Sequence, residues 1–297
     1  MLLKQLTRHY QQQVDKALKQ LISTASSNAV NNTSLHQAMH YSVFNGGKRI
    51  RPLLVYLTGQ ALGLLADQQD APACAVELIH CYSLVHDDMP EMDNDNLRRG
   101  KPTCHKQFSQ EVALLTGDAL QTLAFEALTH KHSLSDKQIV LMVNTLAQAS
   151  GVAGMAGGQA LDLSATGKQL SLEALQTMHE HKTGALIRAS VRLGALCLAE
   201  IDETQLNTLD QYAQNIGLAF QIKDDILDIE SDTDTLGKQQ GADISLDKAT
   251  YPSLLGLEGA KTMALECHQK ALQSLSNFDH HADPLRELAK YIITRDH

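Results

Sequence analysis

Apolar residues recur along this chain at steps of three and four. Leu209, Tyr212, Ile216, Ala219 and Phe220 follow one another at spacings of 3, 4, 3 and 1, which keeps them on one face of an α-helix. Leu114, Leu115, Leu120, Leu123, Phe125 and Leu128 share a segment at helical rather than alternating spacing, so they read as one core stripe. No tight pair such as Asn-Gly stands between alternating runs, so no β-hairpin is expected. The breaks in the helical pattern are residues 23–34, 46–47, 90–102, 154–158, 164–171 and 231–250. None has the look of a long interdomain linker. The pattern predicts an all-α chain, residues 1–297, folded as one large domain of about ten or more helices.

Two of these stripes run into carboxylates. Ile216, Phe220, Asp224 and Asp228 form one i, i+4 row, and Asp225 joins Asp224 and Asp228 within about 100° of helix surface. An apolar row that turns acidic faces the interior, where unpaired charge is costly. Taken alone, the cluster also fits a helix end whose acids turn out to solvent. The other stripe, Ala73, Val76, His80, Leu84 and Asp87, is spaced 3, 4, 4 and 3 and leads into Asp87, Asp88 and Asp93. In a straight helix Asp93 would lie about 240° from Asp87. Pro90 should end or kink the helix and let Asp93 fold back toward Asp87. Six carboxylates at two inner helix ends would repel strongly without something positive between them. Hard oxygen donors without Cys or His suit Mg²⁺, and three such ions would offset the six carboxylates.

A bound diphosphate would add negative charge, and two basic runs could meet it. Lys48, Arg49 and Arg51 follow the pair Gly46-Gly47, and glycine allows an anion to approach the backbone closely. Arg98, Arg99 and Lys101 follow the first acidic cluster directly. A solvated helix start and salt bridges to Asp93 and Asp95 are the plainer readings of the two runs. His80 lies about two turns before Asp87 on the same face, as a ligand contact or a satisfied core histidine. In Lys182-Thr183-Gly184, Thr and Gly together can kink a helix and turn a backbone carbonyl and a hydroxyl into a cavity. A tolerated helical glycine explains the same letters.

Composition narrows the classes further. Hydrophobic residues make up 43% and charged residues 20% of the 297 positions, as in a globular chain. The 25 Lys plus Arg and 34 Asp plus Glu leave a net charge of −9; aromatics are 4% and Trp is absent, so no nucleic-acid partner is expected. The five cysteines, Cys74, Cys81, Cys104, Cys197 and Cys267, are scattered with no CxxC pair. They imply neither a disulfide framework nor a zinc site and suit a reducing cytoplasm. The N-terminal residues lack a signal-peptide core, and the most apolar stretch, 184–200, is interrupted by Arg188 and Arg192. No membrane span is expected.

In order along the chain stand GGKRIRP at 46–52, HDDMPEMDNDNLRRGKPTCHK at 86–106, GDAL at 117–120, GGQALDL at 157–163, HKTGALI at 181–187 and FQIKDDILD at 220–228. This set resembles the trans-polyprenyl diphosphate synthases, close to the bacterial farnesyl diphosphate synthase type, over nearly the whole chain. The resemblance implies a single polyprenyl synthase domain, helices around a central cavity and a homodimer. It implies condensation of isopentenyl diphosphate with dimethylallyl and geranyl diphosphate to give farnesyl diphosphate and diphosphate, with a geranylgeranyl diphosphate synthase or a non-catalytic prenyl-diphosphate-binding subunit as the alternatives. Asp87 and Asp93 resemble ligands of two Mg²⁺, and Asp224 that of a third, with Asp88, Asp225 and Asp228 supporting; Mn²⁺ is a possible substitute. Arg98, Lys182 and Lys238 resemble contacts of the allylic diphosphate. Gly47, Lys48, Arg51, His80 and Arg99 resemble the isopentenyl diphosphate site. Thr183 and Gln221, with the Lys182 carbonyl, resemble cavity groups near the carbocation, and residues 231–250 a lid. Tyr82 and Ser83, fifth and fourth before Asp87, resemble the floor that sets chain length; relatives with a small residue or Met at the fifth position make twenty carbons rather than fifteen. Asn94 and Asn96 depart from the family's longer acidic run, and residues 294–297 are less basic than many relatives' tails. An HD-type phosphohydrolase built on His86, Asp87, His36 and His40 would leave 224–228 and 48–51 unexplained.

Overall fold

A computed structural model describes residues 2–27, 34–130, 134–230 and 249–296. Its α-helices are α1 (Leu2–Ser27), α2 (Ser34–Val43), α3 (Ile50–Ala61), α4 (Asp70–Asp87), α5 (Cys104–Gln107), α6 (Gln110–Thr129) and α7 (Asp136–Ser150). There follow α8 (Met155–Ala165), α9 (Leu172–His179), α10 (Ala185–Leu196), α11 (Glu203–Glu230), α12 (Tyr251–Ser274) and α13 (Asp283–Thr294). Side-chain caps start several of them. Ser109, Ser135, Ser171 and Thr250 accept the backbone N–H groups of Val112, Gln138, Ala174 and Ser253, which satisfies donors that a helix start leaves open.

The helix α4 lies among α1, α3, α6 and α10. Ala73, Ala75, Val76, Leu78 and Ile79 are all fully buried, so α4 is apolar nearly all round, as a central helix should be. The long α11 packs along α12 and touches α10. The C-terminal ends of α4 and α11, which carry the two acidic clusters, therefore border the same interior. Where α3 meets α10 the backbones nearly touch: a Cβ on Gly194 would stand 2.4 Å from the Val55 carbonyl oxygen.

Several local expectations are corrected. A two-stranded antiparallel hairpin pairs Leu97 with Pro102 and Arg98 with Lys101. Its turn residues, Arg99 and Gly100, have φ of 55° and 75°, the arrangement of a type I′ turn. Two-residue strands are too short to show alternation, and Arg-Gly is not a usual turn signal. In the stripe on α6, Leu120, Leu123 and Leu128 are buried, but Leu114 and Leu115 are exposed. Gly157 and Gly158 lie inside α8 rather than in a break. Residues 136–165, not 184–200, have the length and hydropathy (1.5) of a membrane-crossing helix, with 33% of that window buried. A turn at 151–154 divides them into α7 and α8 of 15 and 11 residues, each shorter than the roughly 20 residues a span requires.

Candidate active site

The first acidic cluster folds back as Pro90 suggested. The helix α4 ends at Asp87, and the backbone N–H of Asp93 donates to the Asp87 carbonyl at 2.9 Å. Asn94 closes this turn with φ of 51°. Asn is among the few non-glycine residues that enter that region easily, which gives this departure from an acidic run a backbone reason. Asp87 and Asp93 line a cavity of about 510 Å³, and across it stand Asp224, Asp225 and Asp228 from α11. Burial, with Asp93 and Asp88 nearby, pushes the Asp87 carboxyl up to about 6, against the opposing pull of Lys182 and Arg98. Among the described residues no three of these carboxylates converge within 4.8 Å.

Asp88 is placed differently. It is buried, stands outside the large cavity and accepts the Arg98 Nε at 3.0 and 3.2 Å. One step past Asp87 turns its side chain about 100°, toward the hairpin. Asp88 thus orients Arg98, which reaches the cavity wall. Asp225 is buried at the start of α12, where its carboxylate accepts the Tyr251 N–H at 2.9 Å, a favourable place for negative charge.

Lys182, Thr183 and Gln221 line the same cavity. Residues Glu180–Gly184 form a π-helical turn between α9 and α10, at the step where the sequence allowed either a kink or a tolerated glycine; such turns frequently mark functional sites. Lys182 Nζ is ion-paired with Asp162 of α8. Sequence reasoning gave Asp162 no role; its signal was the single charged residue in GGQALDL. The helix α8 can sit this close because Gly158 faces the π-turn. A methyl group there would meet the Lys182 amide nitrogen at 2.1 Å and its Cα at 2.5 Å. Gly158→Ala is expected to lower stability by about 1–3 kcal/mol through overpacking, read as a lower Tm in calorimetry. An unchanged Tm would mean that α8 yields freely.

A second cavity, of about 400 Å³, shares Leu84, Asp87, Lys182 and Thr183 with the first and adds Arg51, His80, Tyr82, Ser83 and apolar groups such as Met92 and Met155. Of the basic run residues and His80, Arg51 and His80 line this cavity and form its basic edge, whereas Gly47, Lys48 and Arg99 line neither cavity. The buried Nε of Arg51 has no hydrogen-bond partner. Burial and the charges of Arg51, Arg99, Arg98 and Arg49 hold His80 well below the usual imidazole range, so it is neutral at pH 7. Arg99 donates to the Gly46 carbonyl, and a Cβ on Gly47 would lie 2.6 Å from the Arg99 guanidinium. Gly46 and Gly47 have φ of 95° and 125°, so this approach requires glycine. Desolvation and the charge of Arg295 lower Lys48, while Asp224 raises it. Arg49 is different: it is buried and paired to Glu77 at 2.7 Å and Asp15 at 3.0 Å, which makes it a support for the loop. Lys238 lies outside the described residues.

A family model described as polyprenyl synthetase matches residues 32–288. The chain belongs to the polyprenyl synthetase family. It is 54% identical over 270 residues to a farnesyl diphosphate synthase of Escherichia coli (strain K12), covering 89% of this chain and 90% of that one. A farnesyl diphosphate synthase of Haemophilus influenzae is 52% identical over 267 residues, with 89% and 90% covered. Among solved structures, a geranyltransferase from Legionella pneumophila is 38% identical with a TM-score of 0.87, covering 99% of this chain and 98% of that one. Membership makes the chain a prenyltransferase with the helical isoprenoid synthase fold. Of the family residues named from sequence, Tyr82 and Ser83 fall on the second cavity's wall. Tyr82 is buried and stands edge-on to His86, with ring centroids 5.8 Å apart. His86 meets the Leu114 carbonyl and lines the second cavity, while His36 and His40 sit on α2 and line neither cavity; the three histidines are not gathered at one site, which does not support a phosphohydrolase.

Proposed function

We propose that this prenyltransferase condenses isopentenyl diphosphate with dimethylallyl and then geranyl diphosphate, giving farnesyl diphosphate and diphosphate. One observation carries the reading: two carboxylate-bearing helix ends face each other across a cavity that shares a wall with a largely apolar chamber bearing Arg51 and His80. The oxygen donors that share this cavity, Asp87, Asp93, Asp224, Asp225 and Asp228, fit hard divalent cations. Asp87, Asp93 and Asp224 would hold Mg²⁺ (three ions, with Mn²⁺ as a substitute), with Asp225 and Asp228 beside them and Asp88 acting through Arg98. Bound there, Mg²⁺ supplies neutralisation of the charge that grows on the leaving diphosphate.

The remaining work falls to side chains. Arg98 and Lys182, with Lys238 outside the described residues, receive the allylic diphosphate. Arg51 and His80 on the chamber wall, with Gly47, Lys48 and Arg99 outside it, hold isopentenyl diphosphate. Thr183, Gln221 and the Lys182 carbonyl turn oxygen dipoles toward the allylic cation. The apolar chamber takes the growing tail and keeps water from the cation. The departing diphosphate accepts the proton, so no separate carboxylate base is required. The chain acts as a single domain, and its exposed Leu114, Leu115, Val140 and Leu141 on the packed pair α6 and α7 support a homodimer. Five buried free cysteines support a cytoplasmic location.

The test is incubation of the purified protein with dimethylallyl and labelled isopentenyl diphosphates plus Mg²⁺, with chain length read by mass spectrometry. A fifteen-carbon diphosphate that EDTA abolishes is expected; no product from folded protein would overturn the reading. Tyr82→Ala removes the aromatic wall of the chamber and is expected to shift product toward twenty carbons. Unchanged fifteen-carbon product from that variant would remove Tyr82 as the floor, and a twenty-carbon product from the unaltered enzyme would make it a geranylgeranyl diphosphate synthase.

A further inference from the structure

The C-terminal residues carry one arginine, and it goes to an unexpected place. Arg295 follows α13, and its side chain is only 6% exposed. Its guanidinium lies over the Phe220 ring at 4.2 Å from the centroid, and its Nη2 donates to the Phe220 carbonyl at 3.3 Å. The same Nη2 is ion-paired with the carboxylate of Asp224, 71 positions away in sequence. The tail is tied down behind it: α13 packs on α3, α11 and α12, and the Tyr212 hydroxyl of α11 donates to the Leu285 carbonyl at 2.7 Å. A planar fork seated on an aromatic face and a carboxylate is a built pocket for guanidinium. Lys48 lies close enough to feel both Arg295 and Asp224, so this pocket stands at the border between the carboxylate cavity and the basic edge.

The Asp224 carboxylate that takes the guanidinium is one that the proposed function gives to a divalent cation. Two cations held by one carboxylate stand close enough to repel each other. We propose that Arg295 is a built-in counter-cation for Asp224, seated in the metal-free enzyme and displaced when the cation binds, so that metal loading and the position of the C-terminus are coupled. Coupling of this kind is reciprocal. A seated Arg295 weakens the cation's hold on Asp224, and a bound cation loosens the tail. Arg295 is a positioning residue: it sets when Asp224 becomes available and takes no part in bond making. The inference rests on the proposed metal role of Asp224.

The test uses Mn²⁺ with inorganic diphosphate as probe, bound Mn²⁺ being counted by electron paramagnetic resonance in the full-length protein. Arg295→Gln keeps a polar side chain and loses the charge. It is expected to tighten Mn²⁺ binding by roughly fivefold or more, the low end of ordinary site-to-site coupling. Arg295→Lys, with a charge but no fork, should fall between the two. A merely structural role predicts the opposite sign, because a loosened site binds metal more weakly. A second readout needs no variant. In the unaltered enzyme, amide exchange of the C-terminal peptide should speed up when Mn²⁺ and diphosphate are added. Equal or weaker Mn²⁺ binding by Arg295→Gln, or a C-terminus whose exchange stays constant or slows, would overturn the coupling alone. Absence of Mn²⁺ binding in the unaltered protein would overturn both the coupling and the metal role.

Discussion

Asp87→Asn is expected to lower kcat by at least about a thousandfold, near the upper end of what one electrostatic group contributes, while the protein keeps its fold. Asn matches Asp in size and keeps one carbonyl oxygen, so the turn that brings Asp93 back to Asp87, made through the backbone at 2.9 Å, is untouched. What disappears is a negative donor at the border of the two cavities, where both substrates must meet. The stability effect has the opposite sign. Burial raises the Asp87 carboxyl from 3.8 to about 6, so the folded state holds its proton more tightly than the unfolded chain does. Its ionisation therefore weakens the metal-free fold progressively as pH rises through that interval, and the penalty is fully present above it. Asn removes the penalty, so above pH 6 the metal-free variant should melt no lower than the unaltered protein. Mg²⁺ with diphosphate should raise the Tm of the unaltered enzyme and raise that of the variant much less. Steady-state kinetics and calorimetry read both halves. A kcat within tenfold of normal would take Asp87 out of the site.

The contrast between Asp87 and Asp88 shows what the chain reveals by itself. Helical periodicity placed Asp87 and Asp224 on inward faces, and Pro90 indicated the turn that returns Asp93. The Thr-Gly step at 183–184 allowed a distortion, which is a π-turn. These are local features, each decided within a few residues. The partner of Asp88 is Arg98, ten positions on, across a hairpin whose turn residue Arg99 takes φ of 55° without being Gly or Asn. Nothing local marks that conformation. Asp162 with Lys182 and Arg295 with Asp224 join helices that are distant in sequence, and periodicity states which face is inward but not which neighbour fills it. For the same reason Leu114 and Leu115 read as core although they are exposed. Their apolar character fits helical spacing, yet no described element covers them.

Arg49→Met is expected to cost about 3–5 kcal/mol, because it leaves a buried carboxylate without its partner. Arg49 sits at φ 52°, immediately after the Gly46-Gly47-Lys48 loop. Its Nη1 donates to Glu77 at 2.7 Å, its Nη2 to the Val43 carbonyl at 2.7 Å and its Nε to Asp15 at 3.1 Å. The side chains of Arg49 and Glu77 are 4% and 2% exposed, and the second Glu77 oxygen has no partner. Without the guanidinium, Glu77 must stay charged in the core or take up a proton. Both outcomes weaken the fold, and a Tm lower by about 10 °C is expected at a few degrees per kcal/mol. Glu77→Leu should cost less, since Arg49 keeps Asp15 and the Val43 carbonyl. The double variant, Arg49→Met with Glu77→Leu, replaces the pair by apolar groups and should regain about half of the single loss or more, as buried pairs often do. It should not regain function equally. The loop that carries Gly47 and Lys48 loses its anchor to Val43 and Asp15, so KM for isopentenyl diphosphate should stay raised while KM for the allylic substrate changes little. A double variant no more stable than Arg49→Met would show that the Glu77 charge is not what the guanidinium offsets. Equal shifts in both KM values would show that the arginine supports the whole site rather than its basic edge.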